Sequence, residues 1–261
     1  MGNLPRVIYV GIDDTDNLES RGTGRQARSL ARELEEAGLG TALGVTRHQL
    51  LVDSRIPYTS HNSSACLTLL SDADVDDVVR AAAAFIRRAA APGSDPGLCI
   101  AEAYSVRDTV VAFGQRAKSE VLTMNEAAKV AKDSGIHLSG HGGTNGGIIG
   151  ALAGVGLRHS GADGRFLWLP GIREVRGVLS VEDLTKRCGI TQFRRMDVAS
   201  DALSDVSNED MPAPHDTVDV EDWCRPVLLD GEPTLLVLPV TPRVAGVRRW
   251  HIVDRDVIKK Y

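Results

Sequence analysis

Residues 7–26 read VIYVGIDDTDNLESRGTGRQ. An apolar run from Val7 to Ile12 predicts a buried strand, and it delivers three aspartates at its end: Asp13, Asp14 and Asp16. Carboxylates this close repel one another. A chain tolerates that most readily where a cation sits, and Mg²⁺ bound by a few carboxylates together with a nucleotide's phosphates is one solution. The plainer reading is a solvated acidic turn behind a buried strand. A polar turn follows, Ser20 to Arg25. Beyond it Ala27, Leu30, Ala31 and Leu34 fall on one face and predict a helix over 26–37, stopped by Gly38 and Gly40.

Working outward, strands are expected over 42–47, 65–70 and 98–103, with a helix over 71–90 and a firm loop at 92–97. This strand–helix–strand–strand–helix–strand order suggests a ferredoxin-like element in the first half. Further on, Thr123 and Glu126 have capping-box spacing and Gly135 supplies a stop. A glycine turn over 139–147 (SGHGGTNGG) runs into IIGALAGVGL, residues 148–157, a small-residue helix that should pack closely on its neighbour. A strand over 166–169, a short helix over 180–187 and a strand over 235–240 follow. Residues 196–222 are acidic, hold no lysine or arginine, and are expected to be a surface excursion.

Composition sets the class. The chain has 261 residues, 43% hydrophobic and 25% charged, which is ordinary for a globular protein with a sizeable core. A net charge of −5 argues against broad attraction to nucleic acid or anionic membrane, though not against a local basic patch. The four cysteines are dispersed without a CxxC pair, so buried thiols in a reducing cytoplasm are expected rather than a zinc ribbon. The first residues lack a signal-peptide layout, and no apolar run approaches membrane-spanning length.

Several motifs carry candidate chemistry. The turn containing Gly142, Gly143, Asn145, Gly146 and Gly147 can present backbone N–H groups to a phosphate at a helix N-terminus, or be a surface loop. It is neither a Walker A loop nor a GxGxxG fingerprint. Gly22, Thr23 and Gly24 precede the first helix in a similar way. Thr23 can donate to a phosphate or cap the helix, and Arg21 and Arg25 can complement either the aspartates or a phosphoryl group. Between two expected strands, His61, Asn62, Ser63 and Ser64 form a polar segment that can line a site. His137 and His141 are four apart, but Gly140 argues against a metal-ligating helix there.

GIDDTD with SRG, RIPYTSHNSSA, GGIIGALAGVG and VEDWC, in that order over residues 7–224, resemble the archaeal 2-agmatinylcytidine synthetases, which modify an isoleucine tRNA. The family's blocks read roughly GIDDTDSxxGMCT, IPxKTRGNGA, GxGxIGALAAIG and VDWC. The resemblance implies an α+β protein: a kinase-like N-terminal α/β domain over 1–122 and a ferredoxin-like α+β domain over 123–261. It also implies ATP and Mg²⁺ as cofactors and activation of an acceptor oxygen by phosphoryl transfer, in a ligase of the tRNA-modification type. In that reading ATP–Mg²⁺ lies in a cleft between the halves. Asp13, Asp14 and Asp16 hold the metal and, with Arg25, serve catalysis, while Arg21, residues 22–24, His61, Asn62, Ser63 and the glycine turn hold nucleotide and an unidentified polar acceptor.

Departures from the family accompany the matches. Its threonine in GMCT, which takes part in phosphate transfer, is read against Arg25, with Thr23 two residues away. An arginine of TRGNGA is lost. The chain ends at Tyr261, so the OB-fold and zinc-ribbon modules that grip tRNA are expected to be absent, and tRNA to be bound only with a helper. Two alternatives stand beside this reading. One is a haloacid-dehalogenase-like phosphatase, using Asp14 and Asp16 with Lys129 or Lys132. The other is a non-catalytic nucleotide-binding module, favoured by Arg25.

Overall fold

The computed structural model describes residues 4–56, 62–197, 202–203, 211–244 and 247–261. His61 of the expected polar segment lies outside the described residues. The fold is α+β, in two compact units, Met1–Ser160 and Gly161–Tyr261. The boundary expected at 122/123 falls instead after Ser160. The reason is packing: the elements between these positions cover the first unit's sheet.

In the first unit, β1 (Arg6–Asp13), α1 (Thr23–Glu36), β2 (Thr41–Gln49), β3 (Ser63–Ser71), α2 (Val75–Ala89) and β4 (Gly97–Glu102) reproduce the order read from the sequence. They are followed by α3 (Asp108–Arg116), α4 (Met124–Ser134), β5 (His137–Gly140) and α5 (Ile148–Ser160). The sheet order is β5-β4-β1-β3-β2, with every pair antiparallel. β1 is central and buried from Ile8 to Ile12. A continuous rather than alternating run is what a strand covered on both faces requires. Tyr9 packs with Cys66, Cys99 and the residues of α3, α4 and α5. Side chains alternate along a strand, so Ile8, Val10 and Ile12 face the opposite side.

The local signals read from the sequence work as expected. Thr123 Oγ1 accepts from the Glu126 N–H at 3.2 Å, and Glu126 Oε2 accepts from the Thr123 N–H at 2.9 Å, closing the capping box. Gly135 ends α4 at φ 68°. α5 lies against the sheet because its contact face is nearly devoid of side chain. A Cβ placed on Gly154 would stand 2.6 Å from Ser64 Oγ, and one on Gly11 of β1 would stand 2.3 Å from the Ala151 carbonyl oxygen.

The second unit contains β6 (Arg165–Trp168), β7 (Val178–Ser180), α6 (Val181–Cys188), β8 (Gln192–Asp197), β9 (Ala202–Leu203), β10 (Thr217–Asp219), β11 (Val227–Leu229), β12 (Glu232–Val244), β13 (Val247–Ile252) and α7 (Arg255–Lys259). Its sheet order is β6-β11-β12-β13-β10-β7, with β8 parallel to β12 and β9 beside β8. The core gathers Phe166, Leu184, Ile190, Leu228, Leu235 and Trp250. The acidic stretch 196–222 is not simply an excursion. It contains β10, with Val218 and Val220 fully buried, because Asp216 neutralises its charge inward: it accepts from Arg248 Nε at 2.9 Å and Trp250 Nε1 at 3.3 Å. All four cysteines are buried free thiols. No helix among the described residues is long and apolar enough to cross a membrane.

Overpacking a well-filled contact costs about 1–3 kcal/mol. Gly11→Ala should therefore lower the midpoint of thermal unfolding by several degrees, because the clash is with backbone. Gly93→Ala, in open space at φ 80°, should lower it less. Calorimetry on both variants checks the order.

Candidate active site

β1 carries its polypeptide to the end of the sheet and there releases Asp13. The next residue, Asp14, turns the chain at φ 50°, a left-handed conformation that aspartate and asparagine tolerate better than most residues. Thr15 is buried, and Asp16 projects back toward the start of α1. Asn17 then closes a tight turn, its Oδ1 accepting from the Ser20 N–H at 2.9 Å. Gly22 is the N-cap of α1 and offers no side-chain cap. Thr23, the first helical residue, is buried. Its Oγ1 donates to Asp16 Oδ1 at 2.7 Å and accepts from Thr15 Oγ1 at 3.1 Å and the Thr15 N–H at 3.3 Å. The Thr23 hydroxyl is thus held with its proton on a carboxylate.

The glycine turn closes on the same point through a residue that the sequence reading passed over as part of a loop, Asp95. Asp95 Oδ1 accepts from the Thr144 N–H at 2.9 Å, Oδ2 accepts from Thr144 Oγ1, and the Asp95 carbonyl accepts from the Gly147 N–H at 3.0 Å. The glycines allow this approach. A Cβ on Gly143 would overlap Asp95 Oδ1, one on Gly147 would stand 2.4 Å from the Asp95 carbonyl oxygen, and one on Gly150 would stand 1.8 Å from Asp13 Oδ2. The turn therefore spends the Thr144 and Gly147 amides on Asp95 rather than holding them open for a phosphate.

Four carboxylates now share a small, partly dry volume. Burial, then the charge of Asp14, raises the Asp13 carboxyl well above the ordinary range. Burial, then the charges of Asp95 and Asp16, pushes Asp14 up to about 6. They border a pocket of about 200 Å³ whose lining lies wholly in the first unit and draws on both expected segments, 1–122 and 123–261. Asp13, Asp14, Asp16, Thr23, Asn62, Ser63, Gly146 and Gly147 line it, as expected. Asp95, Arg55, Glu120, Leu122 and Gly150 line it as well. Arg21, Gly22, Gly24, Arg25, Gly142, Gly143 and Asn145 do not, and Arg21 and Arg25 are exposed. The Asn62 amide is engaged in structure, donating to the Leu51 carbonyl at 2.7 Å. Arg55 is paired with Asp53 through two bonds of 2.8 Å.

Two expectations change here. Counting through GIDDTDSxxGMCT from Asp16, the motif's threonine falls on Thr23 and not on Arg25. Thr23 is also the hydroxyl in the pocket. Second, among the described residues no three His, Cys, Asp or Glu side chains form a ready metal cage. Asp13, Asp14 and Asp16 do not make one alone. A Mg²⁺ ion, which takes one or two carboxylates and completes its shell with waters and substrate phosphates, still suits a set of crowded, partly desolvated carboxylates. For the phosphatase alternative, Lys129 pairs with Asp133 at 2.5 Å on exposed α4 and does not line the pocket. Lys132 is exposed and does not line it either.

No protein-family model matches the chain. An uncharacterized protein of Methanocaldococcus jannaschii is 29% identical over 154 residues, covering 58% of this chain and 49% of the relative. Among solved structures the chain is similar to apo TiaS, a tRNA agmatidine synthetase for an isoleucine tRNA, at 27% identity and TM-score 0.50, covering 57% of this chain and 35% of that one. It is similar also to TiaS in complex with that tRNA and ATP, at 27% identity and TM-score 0.51, covering 58% and 36%. The chain thus spans about half the length of the curated relative and about a third of the solved structures it matches.

The carboxylate crowding has a measurable consequence. Asp14 has a raised native pKa, so its contribution to stability is complete at about pH 4 and below, and is lost as pH rises through about 6. Asp14→Asn keeps the left-handed turn and removes the charge. In chelator-containing buffer it should raise the unfolding midpoint at pH 7.5, by about 2–4 °C for each kcal/mol relieved, and leave it unchanged at pH 3.5. Equal midpoints at both pH values would remove the repulsion argument.

Proposed function

We propose that the first unit is the catalytic half of an ATP-dependent enzyme of the agmatinylcytidine-synthetase type, performing kinase-like phosphoryl transfer to an acceptor oxygen. The observation that carries this reading is the Thr23–Asp16 hydrogen bond of 2.7 Å inside a pocket ringed by Asp13, Asp14 and Asp95. A hydroxyl paired with a carboxylate is the arrangement of a nucleophile or proton donor with its base. The likeness to TiaS, found with ATP and tRNA, supports the same chemistry.

In this reading Asp13, Asp14 and Asp95 hold Mg²⁺ arriving with the nucleotide, and the ion supplies charge neutralisation at the phosphates. Asp16 orients the Thr23 hydroxyl and would take its proton as the Thr23 oxygen bonds to the γ-phosphorus and the bond to the leaving ADP breaks, the phosphoryl group passing afterwards from Thr23 to the acceptor oxygen. Asn62 and Ser63 border the end of the pocket where a polar acceptor, a small molecule or a nucleotide-like group, is placed. Leu50, Leu122 and Ile149 exclude water from it. The β–α–β–β–α–β element under the site is a ferredoxin-like arrangement serving as the scaffold of the kinase-like chemistry, and the second unit is its companion domain. The non-catalytic alternative drew on Arg25 standing in place of a hydroxyl. With Thr23 in that place the support passes to the enzyme.

ATP binding measured by calorimetry with and without Mg²⁺ tests the reading. Wild type should bind ATP in a Mg²⁺-dependent way, and Asp13→Asn should weaken that binding by at least about tenfold, some 1.4 kcal/mol. Thr23→Val should keep binding within a few-fold yet lower ATP turnover by about 10²–10⁴. Mg²⁺-dependent binding unchanged in Asp13→Asn would sink the metal assignment, and undiminished turnover in Thr23→Val would sink the role of the hydroxyl.

A further inference from the structure

His137 and His141, four residues apart, lie not on a helix but on β5 and just past its end. Residues two and four apart on a strand share one face. Leu138 packs against the core shared with α3, α4 and α5, so His137, Ser139 and His141 stand on the other face. There His137 is opposite Ile100 of β4 and Ser139 opposite Leu98. The His141 N–H donates to the Pro96 carbonyl at 2.8 Å and carries the pairing one residue beyond the strand. All three side chains belong to half-buried residues. Ser139 Oγ lies 2.9 Å from His137 Nε2 and 2.9 Å from His141 Nε2. The two ring nitrogens are therefore no more than 5.8 Å apart, and both are turned to one point.

A serine that merely pins a strand edge needs one ring. A hydroxyl has a single proton, so Ser139 donates to one imidazole and the other must present its own N–H. Two neutral rings are thereby held in opposite tautomers. Neither ring is paired with a carboxylate among the described residues. Neutral imidazoles suit a borderline transition ion, whereas Mg²⁺ prefers oxygen donors. No three His, Cys, Asp or Glu side chains gather among the described residues, so the donor set is two imidazoles and one hydroxyl, with water completing the shell on the open side. Zn–N bonds of about 2.0–2.1 Å place two nitrogens of a tetrahedral shell about 3.4 Å apart. Rotation of the two rings closes that difference at an edge strand, and β5 is the terminal strand of the described sheet. We propose that His137, Ser139 and His141 form a binding site for one divalent transition ion of the Zn²⁺ class. Binding moves the Nε2 proton of the donating ring to its Nδ1, so both lone pairs face the ion and no proton is released. None of the three residues lines the carboxylate pocket, and the site stands independently of the function proposed above.

Titration calorimetry of the full chain with Zn²⁺ tests this, in excess Mg²⁺, which competes for carboxylates and not for imidazoles. Wild type should bind one equivalent. His137→Gln and His141→Gln should each weaken that binding at least about tenfold. A control pair, His215→Gln with His251→Gln, removes two exposed histidines of the second unit and should stay within about twofold. A second readout needs no variant. On adding Zn²⁺ to wild type, the ring-proton NMR signals of His137 and His141 should shift while those of His215 and His251 stay in place. Absence of Zn²⁺ binding by wild type, equal loss in the control pair, or unmoved His137 and His141 signals each overturns the proposal.

Discussion

Repulsion among Asp13, Asp14, Asp16 and Asp95 at the end of the central strand is the constraint around which the first unit is arranged. Burial raises Asp13 and Asp14 above the ordinary carboxylate range, so the native chain holds charge in a place that water would solvate better. The backbone absorbs part of this. The Thr144 N–H and hydroxyl bind Asp95, and Thr23 binds Asp16. What the backbone leaves uncompensated is the driving force available to a cationic ligand or to a metal–nucleotide complex.

That arrangement depends on glycine, at two depths. On the sheet face, Gly11 and Gly154 let α5 meet β1 and β3 with backbone almost in contact. At the rim, Gly147 and Gly150 admit the Asp95 carbonyl and the Asp13 carboxylate to the space a side chain would take. The same helix therefore completes the core and closes the acidic pocket, and stability and site geometry are coupled through one set of close approaches. A methyl group at either depth strains both.

The two units divide the electrostatics of the chain. The first concentrates carboxylates around its pocket, with Arg55 the basic lining residue and itself paired with Asp53. The second concentrates arginines beside Trp223. Asp216, buried among Ala213, Arg248 and Trp250, shows the contrasting case of an acid fully matched by donors, which is a structural use of charge. The net charge alone would not separate these three situations, since it averages opposite local fields.

Much was legible before any coordinates. The apolar run ending in aspartates, the helix periodicity after Gly24, the capping box at Thr123 and the side-chain-poor run 148–157 all encode local physics, and each element forms within a few residues of its expected bounds. The resemblance to agmatinylcytidine synthetases was also legible, because four ordered blocks are a linear property of the chain. Asp95 was not, since an aspartate between proline and serine in a turn carries no periodicity and no neighbouring partner. The place of Thr23 as the motif's threonine follows from counting on from Asp16, whereas its burial and its 2.7 Å bond to that carboxylate do not. β10 was hidden for a related reason, as its acidic surroundings read as solvated until Arg248 and Trp250, remote in sequence, were brought to Asp216. The sequence by itself thus determined the elements and the chemical class of the residues at the end of β1. Only the tertiary structure decided which of them share one pocket, because burial and charge repulsion depend on distances between segments as far as about 140 residues apart, such as Asp13 and Gly150.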